Sequence, residues 1–274
     1  MHSDRKSRLA AAATSAGLDG LVVNPGPTLT YLTGLDFHLM ERPVLVFVNA
    51  QGDAAVVVPN LELQKLEDAP FEMQAFGYDE RVDTWPDAFG KAMESVGLLG
   101  GKIGGEARNV RLLELEMIRQ ASKRRGVTTQ VVPADEVVGD VRSRKDEAEV
   151  ASIERAVRVA ERAASDALGT LEYGDTEQQL AQRLIINLLE GGSSLHLPFP
   201  PIVSFGENSS NPHASPSTRA LRRGDIILID WGARVEGYVS DMTRVYAAGE
   251  VPEEVARIAE IVDDANAAGR AASV

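Results

Sequence analysis

Residues 224–244 read GDIILIDWGARVEGYVSDMTR. The aliphatic run at the start of this stretch predicts a buried strand, and residues 239–246 predict the strand that returns. Between them lies a short polar turn, residues 234–237, which ends in Gly. The sequence therefore predicts a β-hairpin that carries one aspartate on each strand, Asp230 and Asp241.

The positions of the two aspartates decide which face of the hairpin they occupy. Opposed residues of an antiparallel hairpin have a constant index sum, and this sum is odd when the turn has an even number of residues. The sum of 230 and 241 is odd. A four-residue turn would place Asp230 and Asp241 directly opposite each other, and a two-residue turn would place them diagonally. Both arrangements put the carboxylates on one face, whereas a three-residue turn without a bulge would separate them.

Two carboxylates on one face of a sheet repel each other. Ile226 and Leu228 share the face of Asp230, so we expect the site to be partly dry. A carboxylate in such a place must take up a proton, form an ion pair or bind a cation. Hard carboxylate oxygens at short separation suit one or two divalent metal ions. The alternative is a hairpin whose aspartates are solvated or accept backbone hydrogen bonds.

Neighbouring segments add a family resemblance. Residues 202–216 read IVSFGENSSNPHASP and residues 221–225 read LRRGD. Together with the two aspartate motifs they resemble the M24 metallopeptidases of pita-bread fold, which include Xaa-Pro dipeptidase (prolidase) and aminopeptidase P. Residues 8–68 resemble the N-terminal domain of the prolidase, aminopeptidase P and creatinase branch. Residues 141–150 resemble the start of the catalytic domain in the same proteins.

The fold class that we expect is α/β, with an α+β catalytic half. Helical and strand patterns alternate in the first half, which predicts a domain with a mixed sheet. The resemblance implies a creatinase-like N-terminal domain over residues 1–139 and the first part of a pita-bread domain over residues 140–274. Two helices, residues 146–168 and 176–189, precede the hairpin. A last helix is expected from Pro252 to Val274.

The resemblance also assigns roles to single residues. It implies that Asp230 and Asp241 bind two divalent metal ions, Mn²⁺ or Co²⁺, which generate the nucleophile and act as a Lewis acid. It implies that His213 stabilises the tetrahedral intermediate rather than binding metal, although a solvated loop histidine is the alternative.

Four further positions are weaker candidates, and three of them have a purely structural alternative. His196 and Phe199 are expected to line the substrate pocket, although His196 could equally be a surface residue. His38 could reach the active site of a neighbouring subunit or be a plain loop histidine. The Thr243 hydroxyl could support the aspartates from their own face, or Thr243 could simply pack across the strands.

Part of the metal site implied by the resemblance has no counterpart in the sequence. Family members add a His and two Glu after the second aspartate, whereas no His follows Asp241 here, and the later acids belong to a turn and a helix. The chain thus carries two of the five ligands that the resemblance implies. We expect it to be the N-terminal two thirds of a longer enzyme, and to be inactive by itself.

Composition narrows the possible partners and compartments. The chain has 274 residues, a net charge of −13 and no Cys. The negative charge argues against nucleic acid and anionic membranes as partners. The lack of Cys excludes disulfides, a thiolate zinc site and a cysteine nucleophile. No stretch has the length of a membrane span, and we expect a cytoplasmic protein.

The function that we expect is hydrolysis, by a dinuclear metal enzyme, of the peptide bond before proline. The substrate would be a small peptide with proline at the second position, and family analogy implies a homodimer. Dipeptidase and aminopeptidase activity are not separated by the sequence. The alternatives are another pita-bread enzyme, such as a creatinase-like amidinohydrolase, and a non-catalytic pita-bread binding module.

Overall fold

The computed structural model describes residues 2–273, apart from the side chain of Ser3. It divides into two compact units, and the boundary along the chain lies between Asp146 and Glu147. The expected boundary lay a few residues earlier, near Asp140. The difference arises because the helix Asp135–Ser143 packs against the first helix of the chain and so belongs to the first unit. Val274, to which the last helix was expected to run, lies outside the described residues.

The first unit is a six-stranded mixed sheet with helices on both faces. The strand order is β4-β3-β2-β1-β5-β6, in which β1–β2 and β2–β3 are antiparallel and the other neighbours are parallel. Its elements are α1 (His2–Ser15), β1 (Gly20–Val23), α2 (Pro27–Thr33), β2 (Leu45–Asn49), β3 (Ala54–Pro59), β4 (Gln74–Tyr78), α3 (Trp85–Ser95), β5 (Lys102–Gly105), α4 (Leu112–Arg124), β6 (Gln130–Pro133) and α5 (Asp135–Ser143).

Alternation along β1 explains the two layers of helices in this unit. Leu21 and Val23 point into one core, which they share with residues of α1, α2 and α5. Val22 points into a second core, formed with residues of α3 and α4. Every residue of β1 is buried, as expected for a central strand that is covered on both faces. The mixed sheet predicted for the first half is confirmed.

The second unit packs two helices against a small antiparallel sheet of order β11-β8-β7. The hairpin β9–β10 forms the connection between β8 and β11. The elements are α6 (Glu147–Gly169), α7 (Glu177–Glu190), β7 (Ile202–Phe205), β8 (Ile226–Trp231), β9 (Arg234–Val235), β10 (Tyr238–Val239), β11 (Met242–Ala247) and α8 (Glu253–Ala272). No helix within residues 2–273 is long and apolar enough to cross a membrane.

Strand β8 separates the core of the second unit from the candidate site. Ile227, Ile229 and Trp231 are buried against α6 and α7. The indole N–H of Trp231 donates a hydrogen bond to the carbonyl oxygen of Ala160 at 2.8 Å, which fixes the strand to helix α6. Because side chains alternate along a strand, Asp230 must lie on the opposite face of the sheet, away from the two helices.

Candidate metal and catalytic site

The register of the hairpin places the two aspartates diagonally. Thr243 is the residue opposite Asp230 on β11, and Asp241 precedes it by two residues. The turn contains only two residues, Glu236 and Gly237, because Arg234 and Val235 pair with the returning strand. This is the shorter of the two even turns considered from the sequence.

Gly232 permits the close approach of the two strands beside Asp241. A Cβ atom at this position would lie 2.0 Å from the backbone oxygen of Ser240, so no larger residue fits without movement of the backbone. The buried Ser240 hydroxyl donates to the carbonyl oxygen of Ala156 at 3.2 Å and accepts from the N–H of Ala233 at 3.0 Å. These contacts fix the backbone immediately before Asp241.

The two aspartates line a cavity of about 430 Å³, a volume typical of small-molecule sites. Its walls come from the proline-rich loop before β7, the first residue of β7, the loop after β7, and the two aspartates. Most of the remaining lining is apolar. The lining residues are Phe199, Pro200, Pro201, Ile202, Pro212, His213, Ala214, Ser215, Pro216, Asp230 and Asp241.

The surroundings of Asp230 disfavour an unpaired negative charge. Its Oδ1 atom is buried and has no hydrogen-bond partner within the described part of the chain. Burial raises the pKa of Asp230, the negative charge of Asp241 raises this pKa further, and the Thr243 side chain opposes both effects. A divalent ion between the carboxylates would remove the repulsion and satisfy the buried oxygen.

The two aspartates fit a metal ion as part of a larger set of ligands. Carboxylate oxygens are hard donors, and the unsatisfied Oδ1 of Asp230 is free to coordinate. Within residues 2–273, no group of three or more His, Asp or Glu side chains could hold a metal ion. Asp230 and Asp241 would therefore supply only some of the ligands that a metal ion needs.

His213 lines the same cavity as the aspartates, on the loop between β7 and β8. Its backbone N–H donates to Oδ1 of Asn211 at 3.1 Å. The residue is exposed to solvent. The structure thus brings His213, Phe199 and the two aspartates together.

The other candidates are placed differently. Thr243 faces Asp230 across the hairpin. His196 is exposed and is not among the cavity-lining residues; its backbone oxygen accepts a hydrogen bond from Nε of Arg234 at 2.8 Å. His38 is an exposed loop residue of the first unit.

The sequence did not reveal the group that holds the His213 loop. Glu177, the first residue of α7, is buried and accepts hydrogen bonds from residues on both sides of this loop. Locally it belongs to an ordinary helix start, in which Thr176 and Gln179 cap each other. No spacing signal marks it, because its partners are distant in sequence.

The architecture is that of pita-bread proteins with a creatinase-type N-terminal domain. Residues 5–144 match the family described as "Creatinase/Prolidase N-terminal domain", and residues 151–273 match "Metallopeptidase family M24". The chain belongs to the M24 metallopeptidase family. This confirms the family resemblance and the fold class that were inferred from the sequence.

Relatives and solved structures agree with this assignment. The chain is 33% identical to "Probable dipeptidase PepE" of Mycobacterium tuberculosis, over 92% of this chain and 66% of that protein. It is 31% identical to a dipeptidase structure from Pyrococcus horikoshii, with a TM-score of 0.84, covering 95% of this chain and 70% of that one. A prolidase structure from Thermococcus sibiricus is 25% identical, with a TM-score of 0.83, covering 97% and 70%. The chain spans about two thirds of the length of these relatives.

Proposed function

We propose that the protein to which this chain belongs is a dinuclear-metal peptidase that hydrolyses the bond before proline in small peptides. One observation carries the proposal: a single cavity contains two carboxylates, one with an unsatisfied buried oxygen, together with an accessible histidine. The names of the relatives, dipeptidase and prolidase, support the same class of reaction.

Asp230 and Asp241 are the residues that would hold the metal, and we propose two ions, Mn²⁺ or Co²⁺. When bound, the ions supply a nucleophile from water and a Lewis acid for the peptide carbonyl. The chain contributes the position of the two carboxylates. The cross-strand pairing and the contacts of Ser240 hold them on one face of the sheet.

His213 would act on the substrate. His213 lines the cavity, and a ring N–H there would donate to the oxygen that becomes negative as the peptide carbonyl is attacked. A donor aimed at such an oxygen lowers the barrier by about 3 kcal/mol. Because this charge is largest in the transition state, the contribution should appear in kcat.

The cavity wall supports a preference for an apolar, compact residue. Phe199, Pro200 and Pro201 lie on one side, and Pro212 and Pro216 come from the His213 loop. Rigid rings present an apolar surface of fixed shape, which suits a proline ring better than a flexible polar side chain. Phe199 is thus the substrate-binding residue that we favour.

A dipeptidase without a requirement for proline is the second candidate. The names of the Mycobacterium and Pyrococcus horikoshii relatives favour it, since both are dipeptidases without mention of proline. The homodimer, the approach of His38 to a partner's site, a substrate contact of His196 and the cytoplasmic location all stay predictions. Light scattering of the intact protein at micromolar concentration tests the first of these.

The decisive experiment measures hydrolysis by the intact protein with a panel of substrates and with bound metal quantified. The panel comprises Xaa-Pro dipeptides, the matching Xaa-Ala dipeptides, longer Xaa-Pro peptides and creatine. We expect hydrolysis of Xaa-Pro dipeptides, at two ions per chain, and loss of activity on chelation. Equal turnover of Xaa-Ala dipeptides would establish the second candidate instead. Full activity in the presence of a strong chelator would refute the metal mechanism.

A further inference from the structure

Glu177 is a completely buried carboxylate that is satisfied by four neutral donors. Its Oε1 accepts from the N–H of Phe205 at 2.7 Å and from Nδ2 of Asn208 at 2.9 Å. Its Oε2 accepts from the N–H of Ser217 at 2.9 Å and from the Ser217 hydroxyl at 2.6 Å. Buried carboxylates are costly unless they are paired, so an arrangement of this kind needs a purpose.

The donors stand on both sides of the loop that carries His213. Phe205 is the last residue of β7, and Ser217 follows the last cavity-lining residue of the loop, Pro216. One side chain therefore ties the beginning of the 206–217 loop to its end. Fixing both ends removes much of the conformational freedom of the segment between them, and His213 lies in that segment.

The hydrogen bonds require the charged form of Glu177. Burial by itself would raise its pKa, but the bonds from Ser217, Phe205 and Asn208 outweigh this effect, and the pKa is lowered. The position at the first turn of α7 adds the favourable field of the helix N-terminus. All four donors point at carboxylate oxygens. A neutral amide has a single oxygen and could accept hydrogen bonds from only some of these donors.

We propose that Glu177 is a positioning residue for peptide hydrolysis, which holds the 206–217 loop so that His213 faces Asp230 and Asp241. This inference rests on the proposed function, because it assigns His213 to the reaction. Glu177 does not touch the cavity itself. It acts through the backbone of the loop, at the two points where the loop leaves and rejoins the sheet region.

The first test compares Glu177→Gln with Glu190→Gln, the same chemical change at an exposed position of the same helix. Gln has the shape of Glu but places an N–H₂ group against an N–H donor. We expect kcat to fall by about 10- to 100-fold, because small misplacement of a catalytic group has effects of this size. KM and metal content should stay within about twofold of wild type, by the same reasoning. Unchanged kcat in the folded variant would overturn the proposal.

A double-mutant cycle with His213→Ala distinguishes positioning from general damage to the site. If Glu177 acts through His213, then Glu177→Gln should have little further effect once His213 is absent. The two losses in kcat would then be far from additive. An equal fall in kcat with and without His213 would overturn the proposal, because Glu177 would then be acting on something else.

Amide hydrogen exchange tests the loop without relying on activity. Exchange across residues 206–217 should be at least about 10-fold faster in Glu177→Gln, and Ser217→Ala should show a smaller increase in the same segment. If Glu177→Gln does not fold, Ser217→Ala carries the test, because it keeps the backbone donor. If the wild type hydrolyses no peptide while exchange still responds, the proposed function fails and the role of Glu177 in holding the loop stands. Unchanged exchange in both variants would refute that role.

Discussion

Replacing Asp230 by Asn should stabilise the metal-free protein and destabilise the metal-bound one. Without metal, Asp230 has a buried oxygen with no hydrogen-bond partner and a like charge nearby. An unsatisfied buried acceptor costs about 1–3 kcal/mol, and more when it is charged. Asn has the same shape without the charge. Asn still leaves a buried polar atom without a partner, so it removes only the charge and its repulsion by Asp241. Since Asp230 is also partly exposed, we expect the lower end of this range, about 1 kcal/mol, as the gain in the free energy of unfolding.

Bound metal should make the wild type more stable than Asp230→Asn. A ligand that binds only the folded state adds about 2.7 kcal/mol at a concentration of 100 times its dissociation constant. Wild type should gain this stabilisation on addition of Mn²⁺, whereas Asp230→Asn should gain little, because one of its ligands is no longer charged.

Urea unfolding of the intact protein, once in chelator and once in Mn²⁺, measures both effects. Asp264→Asn is the matched control, since Asp264 is exposed on α8 and should change neither curve. The reasoning would be refuted if Asp230→Asn were less stable than wild type in chelator by the same amount as in Mn²⁺. That result would mean that Asp230 serves the fold rather than a cation.

Four further predictions concern single residues. His213→Ala should lower kcat by about a hundredfold and leave two bound ions per chain, and loss of metal would make His213 a ligand instead. Gly232→Ala should destabilise by about 1–3 kcal/mol in thermal unfolding, since its Cβ would meet a backbone oxygen at 2.0 Å. Gly139→Ala, with open space around the new Cβ in α5, should instead be neutral or stabilising. The pKa of Glu177 is lowered in the folded state. The stability that the charged Glu177 adds to the fold should therefore be complete above the ordinary pKa of a glutamate and be lost as the pH falls through the lowered pKa. A difference in stability between wild type and Glu177→Gln that does not change with pH would contradict this.

The hairpin shows why the shared face of the two aspartates was predictable from the sequence and the length of the turn was not. Because side chains alternate and the index sum is odd, the two aspartates share one face for any turn with an even number of residues. The turn itself has positive φ at two residues, 50° at Glu236 and 81° at Gly237. Gly237 signals such a turn, but Glu236 rarely adopts this conformation, so the local sequence gave no reason to prefer two residues over four. The Glu236 carboxylate accepts a hydrogen bond from the Ser152 hydroxyl at 3.0 Å, and these two residues are 84 positions apart in the sequence.

Two elements of the first unit, β4 and α5, leave weak patterns in the sequence because non-local contacts support them. Strand β4 lies at the edge of the sheet and is mostly exposed, so it lacks the buried apolar run that β2 and β3 have. It exists because its backbone pairs in parallel with β3 over five residue pairs. Helix α5 contains Gly139 and buries a single residue, Val138, which leaves little periodicity to detect.

Two anchors secure the His213 loop: the Glu177 carboxylate, and Arg219, which pairs with Glu207 at the start of the loop and with Asp225. The charged side chains that line the cavity are Asp230 and Asp241, both negative. An unpaired arginine beside the loop could form an ion pair with one of them and compete with a metal ion, but Arg219 is already paired with Glu207 and Asp225. Glu177 avoids this because its partners are backbone N–H groups, an amide and a hydroxyl, all of them neutral. The loop is therefore held in place while the negative potential that attracts a divalent cation is preserved.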